Sequence, residues 1–200
     1  GCPMTPRTLR LVAPRATTET KDTELVEAPD NVALGRIAQG DMGALGELYD
    51  RHAVVLLRFA IRLVGESDSE DLVQATFVRA SQVASTYDGR ASDARRWLIG
   101  IMARLRQERR RSLARFARAL VRAALGSEPE STNPHDQRSD LERGLAKLPE
   151  AKRIVLLMAE VEGYSCPEIA EALGIPLGTV WTRLHHARKE LRAHYEEAVS

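Results

Sequence analysis

Side chains that can read the edges of DNA base pairs lie together in one short segment near the end of the chain, residues 180–191. Apolar residues recur in this segment at the helical period, which predicts a helix with one buried stripe. The stripe consists of Val180, Leu184, Ala187 and Leu191. The opposite face carries Trp181, Thr182, His185, His186 and Lys189. Because such side chains form hydrogen bonds and apolar contacts with base edges, the segment is typical of a helix that enters the major groove.

A turn and an earlier helix are predicted to hold this segment in place. Leu173-Gly174-Ile175-Pro176 favours a turn, since glycine adopts left-handed backbone past a helix end and proline suits the next helix's first turn. Ser165 and Glu168 form a capping box that predicts the start of the earlier helix. Two helices joined in this way are typical of a DNA-binding helix-turn-helix. The alternative, that they only form part of an all-α core, stays open on these residues alone.

Two neighbouring features favour DNA binding. Basic residues flank the reading face, as contacts with phosphates require. They are Arg183, Arg188, Lys189 and Arg192. The segment from Glu150 to Glu162 predicts a third helix. Its inward side chains are expected to be Ile154, Val155, Met158 and Val161.

The charge of the chain is concentrated in short stretches. The 200 residues have a net charge of +1, although 28% of them are charged. Arginines crowd the stretch from Arg95 to Arg122, whereas acidic residues gather at Glu66–Asp71 and Glu128–Asp140. This asymmetry favours two different partners, one of them a polyanion. The alternative for the arginine-rich stretch is a solvated helix face.

Composition argues against a membrane protein and against a disulfide or metal site. Cys2 and Cys166 lack the spacing of a zinc site or a disulfide framework, which suits a reducing cytoplasm. The longest apolar run, Ala53 to Val64, contains Arg58 and Arg62 and falls short of the roughly twenty residues that cross a bilayer. We therefore expect a cytoplasmic protein without membrane insertion.

The sequence contains no pattern that indicates catalysis. It has no glycine-rich phosphate loop, no paired nucleophile and base, and no cluster of metal-ligating side chains at a recognisable spacing. We therefore expect that the chain is not an enzyme and needs no cofactor or metal.

Helical periodicity and short polar residues predict an all-α fold. Asp30 and Asp41 are expected N-caps, and Ser67 with Glu70 predicts a capping box for a further helix. The helix after residue 93 is expected to turn its apolar side inward and its arginines outward. The inward residues are Trp97, Leu98, Ile101, Met102 and Leu105.

Two small helical domains joined by a flexible linker are predicted. Residues 1–29 have little apolar periodicity and favour a flexible tail. Gly126 to Asp140 contains glycine and prolines and no apolar residue, which is typical of a linker. We predict a first domain at 30–112, a linker with a partly helical start at 113–138, and a second domain at 139–197.

Motifs in both predicted domains resemble those of one protein family. The first domain resembles sigma domain two through Gly40-Asp41, Leu48-Tyr49, Glu70 to Phe77, Asp88 to Ser92 and Trp97-Leu98. The second resembles sigma domain four through Leu148 to Glu150, Glu162 to Ser165, Glu168 to Ala170, Leu173 to Pro176, Gly178 to Val180 and Arg183 to His185. In this order the motifs resemble a bacterial RNA polymerase sigma factor of the extracytoplasmic-function (ECF) group, which keeps only these two domains.

The resemblance implies a surface for core RNA polymerase. The helix from Glu70 to Arg79 corresponds to the element that docks on the clamp coiled coil of the largest subunit, and domain four is expected to contact the flap region. The implied docking residues are Asp71, Leu72, Gln74, Thr76 and Phe77. Of these, the three polar side chains are expected to be exposed contacts and the two apolar ones to pack inward. An ordinary amphipathic helix with an acidic N-terminus explains the acidic start equally well.

The resemblance also implies two contacts with promoter DNA. Loop residues Arg90, Ala91 and Ser92 match the loop that captures a flipped base of the minus-ten element. Arg95, Arg96 and Arg104 are expected to hold the displaced strand. Trp97 either stacks on a base or packs in the core, and packing is favoured because it shares a face with apolar residues. The implied minus-35 residues are Trp181, Thr182, Arg183, His185, His186, Arg188 and Lys189.

Four residues depart from the family's pattern and bear on the promoter sequence. Asp93 stands where an aromatic residue is usual, and Arg104 stands where asparagine is common. Trp181 replaces a common lysine or arginine, and His186 replaces a common arginine. Family members are commonly held inactive by a dedicated anti-sigma factor, so such a partner is expected.

Two other functions stay open on the sequence. A repressor or activator of the response-regulator type would use only the helix-turn-helix, but its usual receiver domain is α/β and the first half here has no strand pattern. A sigma mimic would bind polymerase without recognising promoters. Arginines on both DNA-facing elements argue against the mimic, whereas Asp93 favours it because its charge repels phosphate.

Overall fold

Helices make up the regular structure of the described chain, residues 29–89, 93–123 and 140–199 of a computed structural model. They are α1 (Pro29–Ala38), α2 (Met42–Val64), α3 (Glu66–Val83), a 3₁₀ turn (Ala84–Thr86), α4 (Ala94–Ala123), α5 (Asp140–Lys147), α6 (Glu150–Glu160), α7 (Cys166–Leu173) and α8 (Leu177–Val199). The predicted all-α class is confirmed. Residues 1–28 of the predicted tail and 124–138 of the predicted linker lie outside the described residues, whereas Pro29 already belongs to α1.

Helices α1 to α4 form an N-terminal module around one apolar core. Its largest fully buried side chains are Leu34, Leu48, Leu56, Phe59, Leu63, Leu98, Ile99 and Met102. Removing an aliphatic or aromatic side chain of this size from water stabilises a fold by roughly 1.5–3 kcal/mol. The inward stripe expected for α4 is confirmed, because Leu98, Ile101 and Met102 are buried. Trp97 and Leu105 lie half-buried at its edge.

One of the three predicted helix starts in this module is confirmed. Asp41 caps α2, because its carboxylate accepts hydrogen bonds from the backbone N–H of Gly43 at 2.8 Å and of Ala44 at 3.3 Å. The prediction for Asp30 is wrong, since α1 already begins at Pro29. The Asp30 carboxylate instead binds Arg51 and His52 of α2.

The predicted capping box at Ser67 and Glu70 is also wrong. Helix α3 begins at Glu66, and its N-cap is Gly65, which has no side chain that could accept a capping hydrogen bond. Gly65 has φ of 90°, a left-handed backbone that lets the chain leave α2 and enter α3 within one residue. This leaves no loop in which Ser67 could serve as a cap.

Helices α5 to α8 form a C-terminal module that contains the predicted helix-turn-helix. The Ser165–Glu168 capping box is present at the start of α7, and Gly174 ends α7 with φ of 63°. Ile169, Val180, Leu184 and Ala187 are buried between α7, α8 and α6. The inward placement of Val161 is wrong, because α6 ends at Glu160 and Val161 is 47% exposed in the following turn.

The two modules contact each other directly. Helix α4 packs on α7, and α2 packs on α5 and α6. The Arg153 guanidinium of α6 donates hydrogen bonds to the carbonyl of Leu63 in α2 and to the carbonyls of Ala146 and Leu148 in its own module. A sequence pattern of two modules and a tether does not predict this contact, since it joins residues far apart in the chain.

The contrast between the two capping boxes gives a stability prediction. Ser165→Ala removes a side-chain cap from α7 and should destabilise the protein by about 1 kcal/mol in urea unfolding. Ser67→Ala, the same substitution at the exposed site that makes no cap, is the matched control and should leave the free energy of unfolding unchanged. Equal destabilisation by both substitutions would contradict the assigned helix starts.

Candidate nucleic-acid interface

The reading face of α8 is exposed and rests on a buried stripe. Trp181 is 59% exposed, and Thr182, His185 and His186 are exposed as well. This exposure excludes a position for Trp181 between packed helices. The two histidine rings lie edge to face with centroids 5.6 Å apart, and the Thr182 hydroxyl donates to the Gly178 carbonyl at 2.8 Å. The face presents one aromatic surface and two adjacent imidazoles.

Basic side chains flank this face in different environments. Lys189 is exposed, and Arg183 is partly buried. The Arg188 guanidinium binds Glu160 of α6 through two nitrogens, at 2.8 and 2.6 Å. Because both partners of this ion pair are about half exposed, at 55% and 49%, its net stabilisation is small. Arg188 can therefore exchange the carboxylate for a phosphate at little cost.

The loop predicted to capture a minus-ten base is anchored at both ends by contacts that the sequence did not reveal. Arg90, Ala91 and Ser92 themselves lie outside the described residues. Before them, the Tyr87 hydroxyl donates to the Asn31 side-chain oxygen at 3.1 Å. A Cβ at Gly89 would lie 2.4 Å from the same oxygen, so any other residue there would displace the Asn31 side chain. No local motif could reveal Asn31, because it lies in α1, far from the loop in sequence.

Asp93 follows the loop and has a clear structural role. Its carboxylate accepts a hydrogen bond from the backbone N–H of Arg96 at 2.7 Å, which caps the first turn of α4. It also accepts from the Tyr164 hydroxyl at 3.4 Å. Asp93, which stands where the family usually has an aromatic residue, thus caps α4. The sequence predicts only its repulsion of phosphate and does not predict this role.

Trp97 packs against the N-terminal module, as favoured from the sequence. Its indole is half-buried and meets the Tyr87 ring edge to face, with centroids 5.3 Å apart. Burial raises the pKa of the Tyr87 hydroxyl, and nearby carboxylates raise it further. The hydroxyl therefore stays protonated at neutral pH and remains the donor to Asn31.

The expectation that the α4 arginines point outward is wrong for Arg96. This residue is 4% exposed, and its guanidinium binds Glu168 and, at 3.6 Å, Glu171, both in α7. A buried guanidinium requires such partners because an unpaired charge away from water is costly. Helix α7 supplies them only through the tertiary contact between the modules.

The other two arginines that were expected to hold the displaced minus-ten strand also contact the C-terminal module. Arg95 lies 3.6 Å from the Glu162 carboxylate, and Arg104 donates to the Ala172 carbonyl at 3.1 Å. The structure therefore places all three of these arginines of α4 in contact with the C-terminal module. Their partners lie in α7 and in the turn before it.

Tyr164 lies at the centre of this contact and was missed by sequence reasoning. Its hydroxyl donates to Asp93, and the Arg96 guanidinium carbon lies 6.0 Å from its ring centroid. Burial, followed by the charge of Asp93, raises the pKa of the Tyr164 hydroxyl. Hydrogen bonds from Ser165 lower the pKa of Glu168, and Arg96 contributes to the same shift. At neutral pH the Tyr164 hydroxyl is therefore protonated and can donate, and the Glu168 carboxylate is ionised and can accept.

The predicted docking helix is α3, and one of its five implied contacts must be corrected. Asp71 and Gln74 are exposed, and Leu72 and Phe77 pack inward as expected. Thr76, expected to be an exposed polar contact, is fully buried, and its hydroxyl donates to the Leu72 carbonyl at 2.7 Å. It faces the core because it lies one turn from Leu72 and next to Phe77.

Two exposed hydrophobic side chains extend this surface. Val78, one turn beyond Gln74, is 57% exposed, and Tyr49 of α2 is 42% exposed while its ring packs on Phe77 at a centroid distance of 4.8 Å. Helical spacing from Asp71 and Gln74 could have identified Val78. Tyr49 required knowledge of how α2 packs on α3. The exposed surface is therefore polar at its acidic end and apolar at the other.

The described residues were also surveyed for metal sites and membrane spans. They contain no group of three or more histidine, cysteine or acidic side chains placed to hold a metal ion. Within the same ranges, every helix falls short of the combination of length and apolarity that crossing a membrane demands.

Fold and surfaces together define an all-α protein with a helix-turn-helix and a second, arginine-rich module, and comparison with known proteins agrees. Residues 48–116 match the sigma-70 region 2 family, and residues 138–191 match the sigma-70 region 4 family. The ECF RNA polymerase sigma factor SigL of Mycobacterium tuberculosis is 36% identical over 166 residues, which cover 80% of this chain and 93% of SigL. The RNA polymerase sigma factor CnrH of Cupriavidus metallidurans is 30% identical over 84% of this chain and 94% of CnrH.

Solved structures show the same likeness. CnrH in complex with the cytosolic domain of CnrY matches with a TM-score of 0.59 and 28% identity, over 85% of this chain and 99% of that one. The sigma factor RpoE in complex with the anti-sigma factor NepR from Bartonella quintana matches with a TM-score of 0.58 and 25% identity, over 76% of this chain and 96% of that one. The chain belongs to the ECF group of RNA polymerase sigma factors and is a promoter-specific initiation factor.

The different environments of the two tryptophans give a direct check on the reading face. In a Trp97→Phe variant the emission reports Trp181, and acrylamide should quench it strongly because the indole is exposed. In a Trp181→Phe variant the emission reports the half-buried Trp97, and quenching should be weaker. Equal quenching constants in the two folded variants would contradict the exposed position of Trp181.

Proposed function

We propose that the exposed face of α8 reads the minus-35 element. The observation that carries the proposal is the pinning of this face: Val180, Leu184 and Ala187 are buried, so Trp181 and His185 must point away from the module. Trp181 can accept no hydrogen bond, and its exposed indole suits apolar contact with a thymine methyl group. His185 and His186 can donate to guanine N7 or O6. Thr182, Arg183, Arg188 and Lys189 complete the surface, the basic residues facing phosphates.

The N-terminal module is proposed to hold the minus-ten element. Unstacking a base costs a few kcal/mol, so a loop that captures it must be held in place. The anchors at Asn31 and Asp93 support this role for the loop that contains Arg90, Ala91 and Ser92. Arg95 and Arg96 lie in the first turn of α4, directly after that loop, and Arg104 lies further along the same helix, so a displaced strand that runs along α4 would meet all three.

The exposed side of α3 is proposed to dock on the clamp coiled coil of core RNA polymerase, with the C-terminal module at the flap region. Asp71 and Gln74 supply polar contacts, and Val78 and Tyr49 supply apolar area. The packed side of α3 supports this surface through the buried side chains of Leu72, Thr76 and Phe77. A mixed surface of this kind is typical of protein interfaces with an apolar centre and polar rim.

We also propose a regulator and a place of action. Two relatives have been solved in complexes, one with the cytosolic domain of CnrY and one with the anti-sigma factor NepR. By analogy, an anti-sigma factor is proposed to hold this chain inactive in the cytoplasm. The chain is proposed to catalyse no reaction itself, and to act only through polymerase and DNA.

Transcription by purified core polymerase on fragmented genomic DNA tests the whole proposal. Adding the chain should produce transcripts from a discrete set of sites. Inhibition of polymerase without new transcripts would favour the sigma mimic. Binding to DNA fragments that is independent of polymerase would favour a repressor of the response-regulator type.

The docking surface makes a specific prediction. Asp71→Arg combined with Gln74→Ala should reduce co-purification with core polymerase at least about tenfold, since it reverses a charge and removes an amide within the proposed docking surface. The matched control is Asp50→Arg combined with Gln39→Ala, the same changes at exposed sites on α2 and after α1. Wild-type polymerase binding by the first variant would remove α3 from the docking surface.

The reading face makes a prediction about sequence preference. Trp181→Arg with His186→Arg should change the preferred minus-35 sequence in a randomised-promoter selection and leave the minus-ten preference intact, since each base contact contributes roughly 1–3 kcal/mol. Lys189→Ala, which removes only a flanking charge, should weaken all sequences alike and reduce the salt dependence. A uniform loss of affinity in the double variant, with no new preference, would show that these side chains contact phosphate only.

A further inference from the structure

One side chain of α1 meets the segment that leads into the loop proposed for the minus-ten element. Asn31 lies in the first turn of α1, and its side-chain oxygen accepts a hydrogen bond from the Tyr87 hydroxyl at 3.1 Å. A Cβ built on Gly89 would lie 2.4 to 2.7 Å from the oxygen, carbon and nitrogen of the same amide. These are the three nearest atoms, so the backbone of Gly89 rests directly against the Asn31 side chain.

Gly89 serves this contact and not a special backbone conformation. Its φ is not positive, unlike that of Gly65 and Gly174, which end helices. The φ of Gly89 therefore does not require glycine. A larger side chain is instead excluded by the space that the Asn31 amide fills. The close approach of these two residues is thus the physical reason for glycine at this position.

Asn31 is itself held in place by its neighbours in α1. The preceding residue, Asp30, binds Arg51 of α2 through one carboxylate oxygen. Its second carboxylate oxygen lies 2.9 Å from Nε2 of His52. On the other side of Asn31, Leu34 is fully buried in the core of the N-terminal module. The first turn of α1 is therefore fixed to α2, and the Asn31 amide starts from a defined position.

The same contact extends to the far end of the loop. The Tyr87 ring packs edge to face on Trp97 of α4, with centroids 5.3 Å apart. The loop connects Gly89 to Asp93, which caps the first turn of α4. Whatever holds these two residues sets where that connection begins and ends. Asn31 therefore acts on both ends, directly at Gly89 and through the Tyr87 ring at Trp97.

We propose that Asn31 is a positioning residue for minus-ten recognition, and that the place of its amide determines which base the loop accepts. The inference rests on the minus-ten role proposed for the loop. A base that leaves the duplex is discriminated by hydrogen bonds to its edge. Such bonds weaken steeply when donor and acceptor are misplaced. Asn31 acts only through Tyr87 and Gly89, since the surfaces proposed for DNA include no residue of α1.

Selection from promoters randomised at the minus-ten element tests this role, with holoenzyme that carries full-length variants. Asn31→Ala removes the acceptor, and Gly89→Ala inserts a methyl group into the space of the amide. Each should reduce the preference for the captured base about fivefold, the change expected from one lost hydrogen bond, and leave the minus-35 preference unchanged. A loss of folded protein alone would lower activity at all promoters equally and would not alter base preference.

A double-mutant cycle shows whether these residues form one contact. The atoms that a Cβ at Gly89 would meet first belong to Asn31, so Gly89→Ala should add little once Asn31→Ala is present. Tyr87→Phe keeps the ring and removes the hydroxyl, and it should likewise add little in that background. The matched controls are Gly35→Ala, with no atom within 4 Å of the added Cβ, and Gln39→Ala, an exposed amide just after α1. Both controls should retain the wild-type preference.

Two outcomes would overturn the proposal. Wild-type base preference in both Asn31→Ala and Gly89→Ala would show that recognition does not depend on this contact. Fully additive effects in the cycle would show that the two residues act independently. Arg90→Gly combined with Ser92→Gly separates these failures from a failure of the minus-ten role. An altered preference in that loop variant keeps the role and removes only Asn31 from it, whereas an unchanged preference removes the loop itself.

Discussion

The pairing of a buried guanidinium organises the contact between the two halves of this protein. Arg96 is nearly inaccessible to water, so its charge must be balanced by acceptors close to it. Glu168 and Glu171 of α7 provide such acceptors. Glu168 is also one half of the capping box that starts α7. One carboxylate therefore links the beginning of the helix-turn-helix to the arginine-rich face of α4.

Backbone geometry determines how closely the elements approach. Gly174, with its left-handed backbone, ends α7 and directs the chain into α8. Gly65 does the same between α2 and α3 with no loop. Gly100 has an ordinary helical conformation, and its importance is that it has no side chain where α7 crosses. These glycines position the reading face and the arginine-rich face through the path of the backbone and the distance between helices.

The same helices carry stability and recognition on opposite sides. In α8 the buried stripe belongs to the core of the C-terminal module and leaves the aromatic and imidazole side chains exposed. In α3 Leu72 and Phe77 pack inward while Asp71 and Gln74 face solvent. A substitution on an exposed face can therefore change recognition without unfolding the protein, which is what allows a family with one fold to recognise different promoters.

The sequence by itself determined the helical class, the helix-turn-helix and the exposed side of α8. These features depend on local rules: apolar periodicity, the Ser165–Glu168 capping box and the glycine after α7 act within a few residues of each other. The family motifs added the partner that each surface is proposed to meet. The failed local predictions, at Asp30, Ser67 and Val161, concern helix ends, where a shift of one or two residues changes which side chain serves as the cap.

Only the tertiary structure decided which of the implied contacts are accessible. Thr76 is polar but lies on the packed side of α3, and Arg96 is charged but lies under α7. Asn31, Tyr164 and Gly100 acquire their roles from residues distant in sequence. Periodicity gives the face of one helix, whereas burial depends on what a second helix places against that face. That information lies in the packing of the two modules and in no local pattern of the chain.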